Sequence, residues 1–298
     1  MTNSPLSQHP IFGAAQRLLD SGILLHSREM LERKLVETPD SPQLMERLMD
    51  ICRQLGDLSA AATWSDKISR LVPNHQEAGY LHQVLSGRVP AMPITEGICP
   101  SPFVLLHDFL DAETHRRVFD IALSQLSQFK PLKVRILHGD EAIRSSNAPD
   151  RRRQIGIPCG DELEAIILPR ITAELERNTR RLQIEAFEPK NVSMELHATR
   201  NGGFGLPHRD NLSNPSLILA FAYYFHSQPK AFEGGDLLLF DSDRTDGDHV
   251  FTRFTRLIHR DNTLTLFPTA CSHQITRVDS RNDDVAHSRF AVVGWVER

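Results

Sequence analysis

The second half of the chain is a series of short segments with the composition of β-strands. They are VSMELHATR, LILAFAYYF, DLLLF, HVFTRFTRLI, TLTLFP and RFAVVGWV. These segments are rich in β-branched and aromatic residues, and clusters of Gly, Asn and Asp divide them. The pattern predicts a β-sandwich or barrel. Two segments before it, PSPFVLLHDFLDAETHRRVFDIAL and DELEAIILPRITAELERNTRRL, predict a short strand, a helix capped by Asp111 and a second amphipathic helix.

The first ninety residues show a repeat in their glycines and prolines. Gly22 and Gly56 are 34 residues apart, and Pro39 and Pro73 have the same separation. Glycine permits a close turn between paired helices, and proline stops a helix from continuing. The spacing resembles the second half of a tetratricopeptide repeat, whose period is 34 residues. A plain helical bundle with coincidental spacing is the alternative.

Three prolines near residue 90 predict a boundary between two domains. Pro90, Pro93 and Pro100 lie in the segment 86–102, which cannot continue a helix. We therefore expect an all-α, tetratricopeptide-like domain over residues 1–90 and a second domain over residues 91–298. The combination predicts an α+β fold.

The composition limits the kinds of partner and compartment. The 34 basic and 38 acidic residues give a formal net charge of -4, which argues against nucleic acid as a partner. The four cysteines form no CxxC pair, so a reducing cytoplasm fits better than a disulfide framework or a zinc ribbon. The N-terminus lacks the pattern of an export signal, and the longest apolar run, residues 217–225, is too short to span a bilayer. We expect a cytoplasmic protein without a membrane anchor.

A histidine followed two residues later by a carboxylate is a candidate pair of metal ligands. In a strand, side chains two apart point to the same face and can bind one ion. The chain has four such pairs: His75 with Glu77, His138 with Asp140, His208 with Asp210, and His259 with Asp261. The first pair lies in the helical repeat and the second in a polar loop. The fourth lies in a predicted turn, and only 13 residues separate its histidine from His273.

His208 and Asp210 have the most favourable surroundings of the four pairs. The string NGGFGLPHRDN places a glycine turn before them, and 65 residues of strand pattern separate His208 from His273. Two histidines and one carboxylate form the ligand set of non-haem Fe(II) oxygenases. The same set also serves catalytic zinc, so the ligand types alone do not identify the metal.

Several motifs together resemble the prolyl 4-hydroxylase-type branch of the 2-oxoglutarate/Fe(II) dioxygenases. They are MELHATRNGGFGLPHRDN, AFAYYFHSQPKAFEGGDLLLFD, LTLFPTACSHQITRV and SRFAVVGWV, in that order. The resemblance covers about 200 residues, from near Pro100 to the C-terminus. It implies a double-stranded β-helix (jelly roll) with flanking helices. It also implies that His208, Asp210 and His273 bind Fe2+.

The resemblance extends to residues that would hold the co-substrate. Arg289 matches the basic residue that pairs with the distal carboxylate of 2-oxoglutarate, and a planar guanidinium suits that role. Tyr224 matches a tyrosine that donates to the same carboxylate. Adjacent tyrosines face opposite sides of a strand, so the choice between Tyr223 and Tyr224 depends on the register.

Two departures from the family pattern leave alternatives open. Where many relatives place a tyrosine before the glycine turn, this chain has Thr199 or Arg200. The stretch between His273 and Arg289 is longer by several residues, which leaves Arg277 and Arg281 as rivals to Arg289.

The resemblance implies hydroxylation of an unactivated C–H bond, with succinate and CO2 as co-products. Its cofactors would be Fe2+, 2-oxoglutarate and O2, with ascorbate as an optional reductant. By family analogy the substrate is a prolyl or other residue of a peptide or protein, docked partly by the N-terminal repeats. The alternatives are a tailoring oxygenase for a free amino acid or metabolite, and a non-catalytic repeat adaptor with a vestigial barrel. The sequence leaves the oligomeric state open.

Two related families fit less well. Aspartyl/asparaginyl β-hydroxylases also join tetratricopeptide repeats to an oxygenase domain, but they lack the carboxylate ligand that Asp210 would supply. Nucleic-acid demethylases of the superfamily carry two arginines with five residues between them after the distal histidine. Here seven residues lie between Arg281 and Arg289.

Overall fold

The computed structural model describes residues 13–91, 93–132, 134–138, 141–145, 154–212, 214–245, 247, 249–281 and 284–298. The chain divides into two compact units. The first comprises Met1–Pro102, Leu238–Leu257 and Cys271–His273; the second comprises Phe103–Leu237, Ile258–Ala270 and Gln274–Arg298. The predicted boundary between residues 90 and 91 stays a prediction. No helix among the described residues has the length and apolar character needed to cross a bilayer.

Five helices form the N-terminal region, which confirms that this part of the chain is helical. They are α1 (Ala14–Asp20), α2 (Ile23–Glu37), α3 (Pro42–Leu55), α4 (Leu58–Leu71) and α5 (Gln76–Leu85). Gly22 and Gly56 each adopt the left-handed conformation between two helices, with φ of 70° and 82°. Only glycine does so at no steric cost, which explains their place in the sequence. Leu35, Leu48 and Ile68 contribute to a core shared by α2, α3 and α4.

Two further helices belong to the second unit: α6 (Ala112–Ser124) and α7 (Asp161–Asn178). The side chain of Asp111 accepts a hydrogen bond from the Thr114 N–H at 2.9 Å, so the predicted cap of α6 is confirmed. The apolar faces of both helices pack against a sheet. Val118 and Ile121 on α6, and Ile167 and Ile171 on α7, are buried in that core.

Sixteen strands are present in the described residues. The first eight are β1 (Ile98–Cys99), β2 (Val104–His107), β3 (Lys130–Pro131), β4 (Val134–His138), β5 (Glu141–Ser145), β6 (Gln154–Pro158), β7 (Asn191–Thr199) and β8 (Gly205–His208). The others are β9 (Leu217–Phe225), β10 (Phe232–Gly234), β11 (Leu237–Asp243), β12 (His249–Leu257), β13 (Thr263–Pro268), β14 (His273–Ile275), β15 (Val278–Ser280) and β16 (Arg289–Glu297). All six predicted strand segments of the second half are strands. The α+β prediction is confirmed.

The largest sheet has seven strands in the order β2-β13-β9-β16-β7-β6-β3. A second sheet has the order β1-β11-β14-β8, with β12 beside β11, and β10 pairs with β15. The strands of the large sheet pair antiparallel. Because side chains alternate along a strand, Phe221, Tyr223 and Phe225 face the helices while Ala222 and Tyr224 face the other side. That other face carries the polar residues described below.

In the first unit the helices pack directly on strands β11 and β12. Ala15 of α1 shares an apolar core with Leu238, Phe240 and Phe254. The amide of Gln54 in α3 donates to the carbonyl of Thr252 at 2.8 Å. The helical region therefore covers part of the β-structure and is integral to its core.

Candidate metal centre and co-substrate pocket

The structure brings together the three residues that the sequence proposed as metal ligands. One nitrogen or oxygen atom from each of His208, Asp210 and His273 lies within 4.8 Å of the others. His208 ends β8, Asp210 begins the short 3-10 turn that follows, and His273 begins β14. Each ligand therefore comes from a strand end or the turn after it, where the backbone is fixed by neighbouring strands.

The two histidine rings are oriented by the same kind of hydrogen bond, from Nδ1 to a backbone carbonyl. Nδ1 of His208 donates to the carbonyl of Leu206 at 2.8 Å, and Nδ1 of His273 donates to the carbonyl of Cys271 at 3.2 Å. A neutral imidazole carries one proton, so these bonds leave the lone pair on Nε2. Fixing the tautomer in this way is typical of metal-binding histidines. The Nε2 atom of His208 lies 3.5 Å from Oδ1 of Asp210.

The cluster is buried on one side and open on the other. His273 is 7% exposed, and the side chain of Asp210 is 10% exposed. The side chain of His208 is 39% exposed, so solvent and a substrate can approach the cluster along this edge. Such a site combines a rigid donor set with access from outside.

The competing histidine–carboxylate pairs have other surroundings. His75 caps α5, since its Nδ1 accepts from the Ala78 N–H at 3.2 Å, and its Nε2 contacts Glu46 at 2.6 Å. Asp140 lies outside the described residues. The carboxylate of Asp261 accepts hydrogen bonds from His115 and from the Gln228 amide.

Arg289, at the start of β16, is 1% exposed and lies on the polar face of the large sheet. Its Nε donates to the carbonyl of Gly235 at 2.6 Å, while its Nη2 has no hydrogen-bond partner within the described part of the chain. Burial lowers the pKa of Arg289 from its usual value, but the guanidinium stays charged at neutral pH. A buried charged donor without a partner costs several kcal/mol or attracts an anion. The atom therefore marks a place where a carboxylate fits.

The glycine pair between β10 and β11 lets the arginine reach this position. Gly235 has a φ of +72°, and a Cβ added there would lie 2.6 Å from Cδ of Arg289. Any other residue would displace the guanidinium. The GG pair of the hairpin and the arginine of the last strand are thus parts of one arrangement.

Tyr224 lies beside Arg289, and Tyr223 does not. The guanidinium carbon of Arg289 is 4.8 Å from the centre of the Tyr224 ring. Burial raises the pKa of the Tyr224 phenol, which stays protonated and able to donate. Tyr223 packs in the helix-side core, where its hydroxyl contacts His115 at 2.6 Å.

The rival arginines lie elsewhere. Arg277 pairs with Asp279 at 2.9 Å and its side chain is 59% exposed, and Arg281 is also exposed. Thr199, where many relatives have a tyrosine, is buried opposite Arg289 and accepts a hydrogen bond from the Gln154 amide at 3.2 Å. Arg200 is only partly buried.

One residue of this pocket was missed by the sequence analysis. His259 was expected to be a turn residue without a role, and it does lie between β12 and β13. Its ring, however, is buried against Tyr224, with 5.0 Å between ring centres. No sequence signal separates a surface turn histidine from one that folds inward.

Residues 194–297 match the family model described as the 2OG-Fe(II) oxygenase superfamily. The matched segment contains all five residues that the sequence proposed for the site: His208, Asp210, Tyr224, His273 and Arg289. The cofactors of that superfamily are Fe2+, 2-oxoglutarate and O2. The donor set of the cluster fits Fe2+. The Nη2 of Arg289, which has no partner in the part of the chain that is described, fits a carboxylate of 2-oxoglutarate.

Over 139 residues the chain is 30% identical to an uncharacterized PKHD-type hydroxylase of Synechocystis. The match spans 46% of this chain, and the chain spans about half (46%) of that relative.

Among solved structures, a prolyl hydroxylase of Trichoplax adhaerens in complex with a peptide of hypoxia inducible factor matches with a TM-score of 0.47 and 15% identity. That match covers 65% of this chain and 83% of that one. A Pseudomonas putida prolyl-4-hydroxylase matches with a TM-score of 0.46 and 14% identity over 66% and 93% of the chains. Likeness at this level does not extend to a substrate.

Proposed function

We propose that the protein is an Fe(II)- and 2-oxoglutarate-dependent dioxygenase in which His208, Asp210 and His273 hold the iron. The observation that carries the proposal is the convergence of these three side chains, with both histidines oriented through Nδ1. Two histidines and a carboxylate leave coordination positions for a chelating co-substrate and O2. The β-domain is accordingly proposed to be a double-stranded β-helix.

The second part of the proposal concerns 2-oxoglutarate. Arg289 would bind the distal carboxylate through its Nη2, which has no hydrogen-bond partner among the described residues. Tyr224 would donate its phenolic hydrogen to the same carboxylate, because it lies against Arg289 and stays protonated. A buried charge-assisted pair of this kind fixes the orientation of the bound acid.

When bound, iron and 2-oxoglutarate would use O2 to hydroxylate a C–H bond, with one oxygen atom entering the substrate, the other entering succinate, and CO2 released. The protein's own residues bind and orient. Thr265 and Phe267 of β13 are buried, and so is Tyr224, so this side of the pocket excludes water. The exposed edge of His208 leaves a path for the substrate.

For the substrate we propose a prolyl or other residue of a peptide or protein. The name of the Synechocystis relative, a PKHD-type hydroxylase, favours hydroxylation but does not specify a target. We further propose that the N-terminal helices are tetratricopeptide-like and dock part of the peptide. They carry a groove of about 520 Å3 lined by Leu35, Met45, Trp64 and Leu71 among others. A free amino acid or other metabolite is the alternative substrate class.

The test is an anaerobic titration of the full chain with Fe(II) and 2-oxoglutarate, followed by succinate measurement when air is admitted. We expect slow uncoupled succinate formation that a peptide library accelerates and a metabolite panel does not. Asp210→Ala should form no succinate above background. Equal succinate formation by the wild-type and Asp210→Ala chains would reject the assignment of the iron site. If only metabolites accelerate succinate formation, a peptide is rejected as the substrate.

A further inference from the structure

Among the residues that the structure describes, the ring of His259 has no hydrogen-bond partner, although it is buried. The residue is 2% exposed, and neither Nδ1 nor Nε2 has a hydrogen-bond partner within the described part of the chain. Leaving a buried donor or acceptor unsatisfied costs about 1–3 kcal/mol. Buried polar side chains in folded proteins nearly always have a partner, so the exception requires an explanation.

The backbone around His259 is held from both sides. Its N–H donates to Oδ1 of Asp236 at 2.8 Å, and its carbonyl accepts from Nζ of Lys230 at 3.3 Å. Asp236 is the residue after the glycine pair that accommodates Arg289. The turn therefore cannot swing outward to hydrate the ring without losing these bonds.

The ring shares its surroundings with the proposed carboxylate pocket. Its centre lies 5.0 Å from that of Tyr224, 5.4 Å from that of His226 and 5.3 Å from that of Phe232. Tyr224 in turn lies against the guanidinium of Arg289. His259 and Arg289 thus both contact Tyr224, and each has a buried nitrogen without a hydrogen-bond partner in the described ranges.

We propose that His259 is a third contact for the distal carboxylate of 2-oxoglutarate and donates a ring N–H to it beside Arg289. This inference rests on the proposed function. A carboxylate has about four lone-pair sites, so it can accept from a guanidinium, a phenol and an imidazole at once. An anion is favoured over water in this pocket, because the fully buried guanidinium of Arg289 attracts negative charge. Asp236, whose Oδ1 accepts from the His259 N–H, also acts on that charge.

The protonation of the ring agrees with a donor role. Burial, followed by the positive charge of Arg289, holds the pKa of His259 well below its usual range, with smaller contributions from His226 and Lys230. The imidazole is neutral at physiological pH and carries one N–H. The bound anion does not require a second proton, since Arg289 already supplies the charge.

The test compares two ligands that differ only at the distal end. 2-Oxopentanoate has a methyl group where 2-oxoglutarate has its distal carboxylate. Calorimetry on the oxygen-free, Mn(II)-loaded full chain gives the Kd of each ligand.

The variant His259→Phe keeps an aromatic ring and removes both nitrogens. His226→Phe is the matched control, because His226 lies in the same ring cluster. We expect His259→Phe to weaken 2-oxoglutarate about tenfold, the effect of roughly 1.4 kcal/mol, with 2-oxopentanoate and the control unchanged.

An unchanged Kd for 2-oxoglutarate, or equal weakening of both ligands, would overturn the inference. A wild-type chain that binds Mn(II) but not 2-oxoglutarate would overturn the proposed co-substrate, and the role of His259 with it.

If His259→Phe does not fold, 15N spectra of the histidine rings in the Zn(II)-loaded wild-type chain replace the calorimetry. One histidine N–H, absent in His259→Gln, should shift with 2-oxoglutarate and not with 2-oxopentanoate. A ring N–H that responds to neither ligand would leave a bound water as its partner and exclude the carboxylate.

Discussion

The guanidinium of Arg53, in helix α3, meets the carboxylate of Asp241, in strand β11, through two hydrogen bonds of 2.7 and 2.5 Å. Both side chains are fully buried. Arg53 also approaches Asp50 at 2.9 Å, and Arg253 of β12 joins the group through Asp50, Glu77 and Asp241. The helices and the strands of the first unit thus share one charged network.

We predict that Arg53→Met lowers the free energy of unfolding by about 3–5 kcal/mol, because it leaves the carboxylate of Asp241 buried without its main partner. Urea unfolding followed by circular dichroism measures the change. Arg33→Met is the matched control, since the Arg33 side chain is 74% exposed. A loss no larger than that of the control would show that water or Arg253 replaces the missing partner.

The same network predicts the behaviour of a chain that begins at Gly87. It lacks Arg53, Gln54 and the α1 residues that cover Phe240 and Phe254, so we expect aggregation or a molten state. Light scattering and the near-ultraviolet spectrum report this outcome. A shortened chain that stays monomeric and retains Fe(II) binding would show that the helices are dispensable for the β-structure.

Peptide docking by the helices is better tested by substitution in the groove. Leu71→Asp changes a 46% exposed groove residue and should leave the fold intact. If the helices dock a peptide, the KM for a long peptide rises several-fold while that for a short peptide does not. Equal KM values in mutant and wild-type chains would reject docking at the groove. Val89→Asp is the control, because Val89 is 51% exposed and does not line the groove.

Each of His208→Ala, Asp210→Ala and His273→Ala should lose Fe(II) binding and 2-oxoglutarate decarboxylation while the free energy of unfolding changes little. The reason is that the three side chains belong to none of the apolar clusters that the described residues form. Anaerobic metal titration and thermal unfolding give the two quantities. Retention of one equivalent of Fe(II) by His273→Ala would show that the site is built differently.

Arg289→Gln should raise the 2-oxoglutarate requirement by about a hundredfold and the iron requirement little, because it removes only the charged contact to the co-substrate. Arg277→Gln and Arg281→Gln are the controls on exposed positions. The dependence of succinate formation on each ligand provides the measurement. A defect in either control with a normal Arg289→Gln chain would move the carboxylate site to the loop after His273.

The stability of the chain should depend on the ionisation of Asp261. Burial opposes its charged form, but hydrogen bonds from His115, Gln228 and the His226 N–H lower its pKa from 3.8 to about 2. Since the folded pKa is depressed, the stabilisation is complete above the unfolded value and is lost as pH falls from 3.8 towards 2. Urea unfolding should therefore show a difference between wild type and Asp261→Asn that shrinks as the pH falls. A difference independent of pH would contradict the assignment.

Strand positions could be predicted where the whole segment is apolar. The bounds of β9 agree residue for residue with the predicted segment, because every residue from 217 to 225 packs against one side or the other. The strands β8 and β14 could not be predicted, since they are short and carry polar residues that serve the site. Their extended form depends on neighbouring strands and not on their own composition.

The candidate ligands could be predicted from spacing and the family pattern, but two buried polar residues could not. Arg53 has the appearance of a solvent-exposed helix residue, because its partner Asp241 is 188 residues away in sequence. His259 belongs to a polar string identical to that around His208, HRDN, and only the fold turns its ring inward. Long-range packing decides both cases.

The pairing of Arg53 with Asp241 sets an order of events during synthesis. Helix α3 leaves the ribosome 188 residues before its partner carboxylate does, an interval of roughly 10–40 s at ordinary elongation rates. Throughout that time the apolar side of α1 lacks the strands that it packs against, and Arg53 lacks its partner carboxylate. Helices α1 and α3 are thus made long before the strands that complete their packing, and the chain has to be kept from aggregating until residue 257 has emerged.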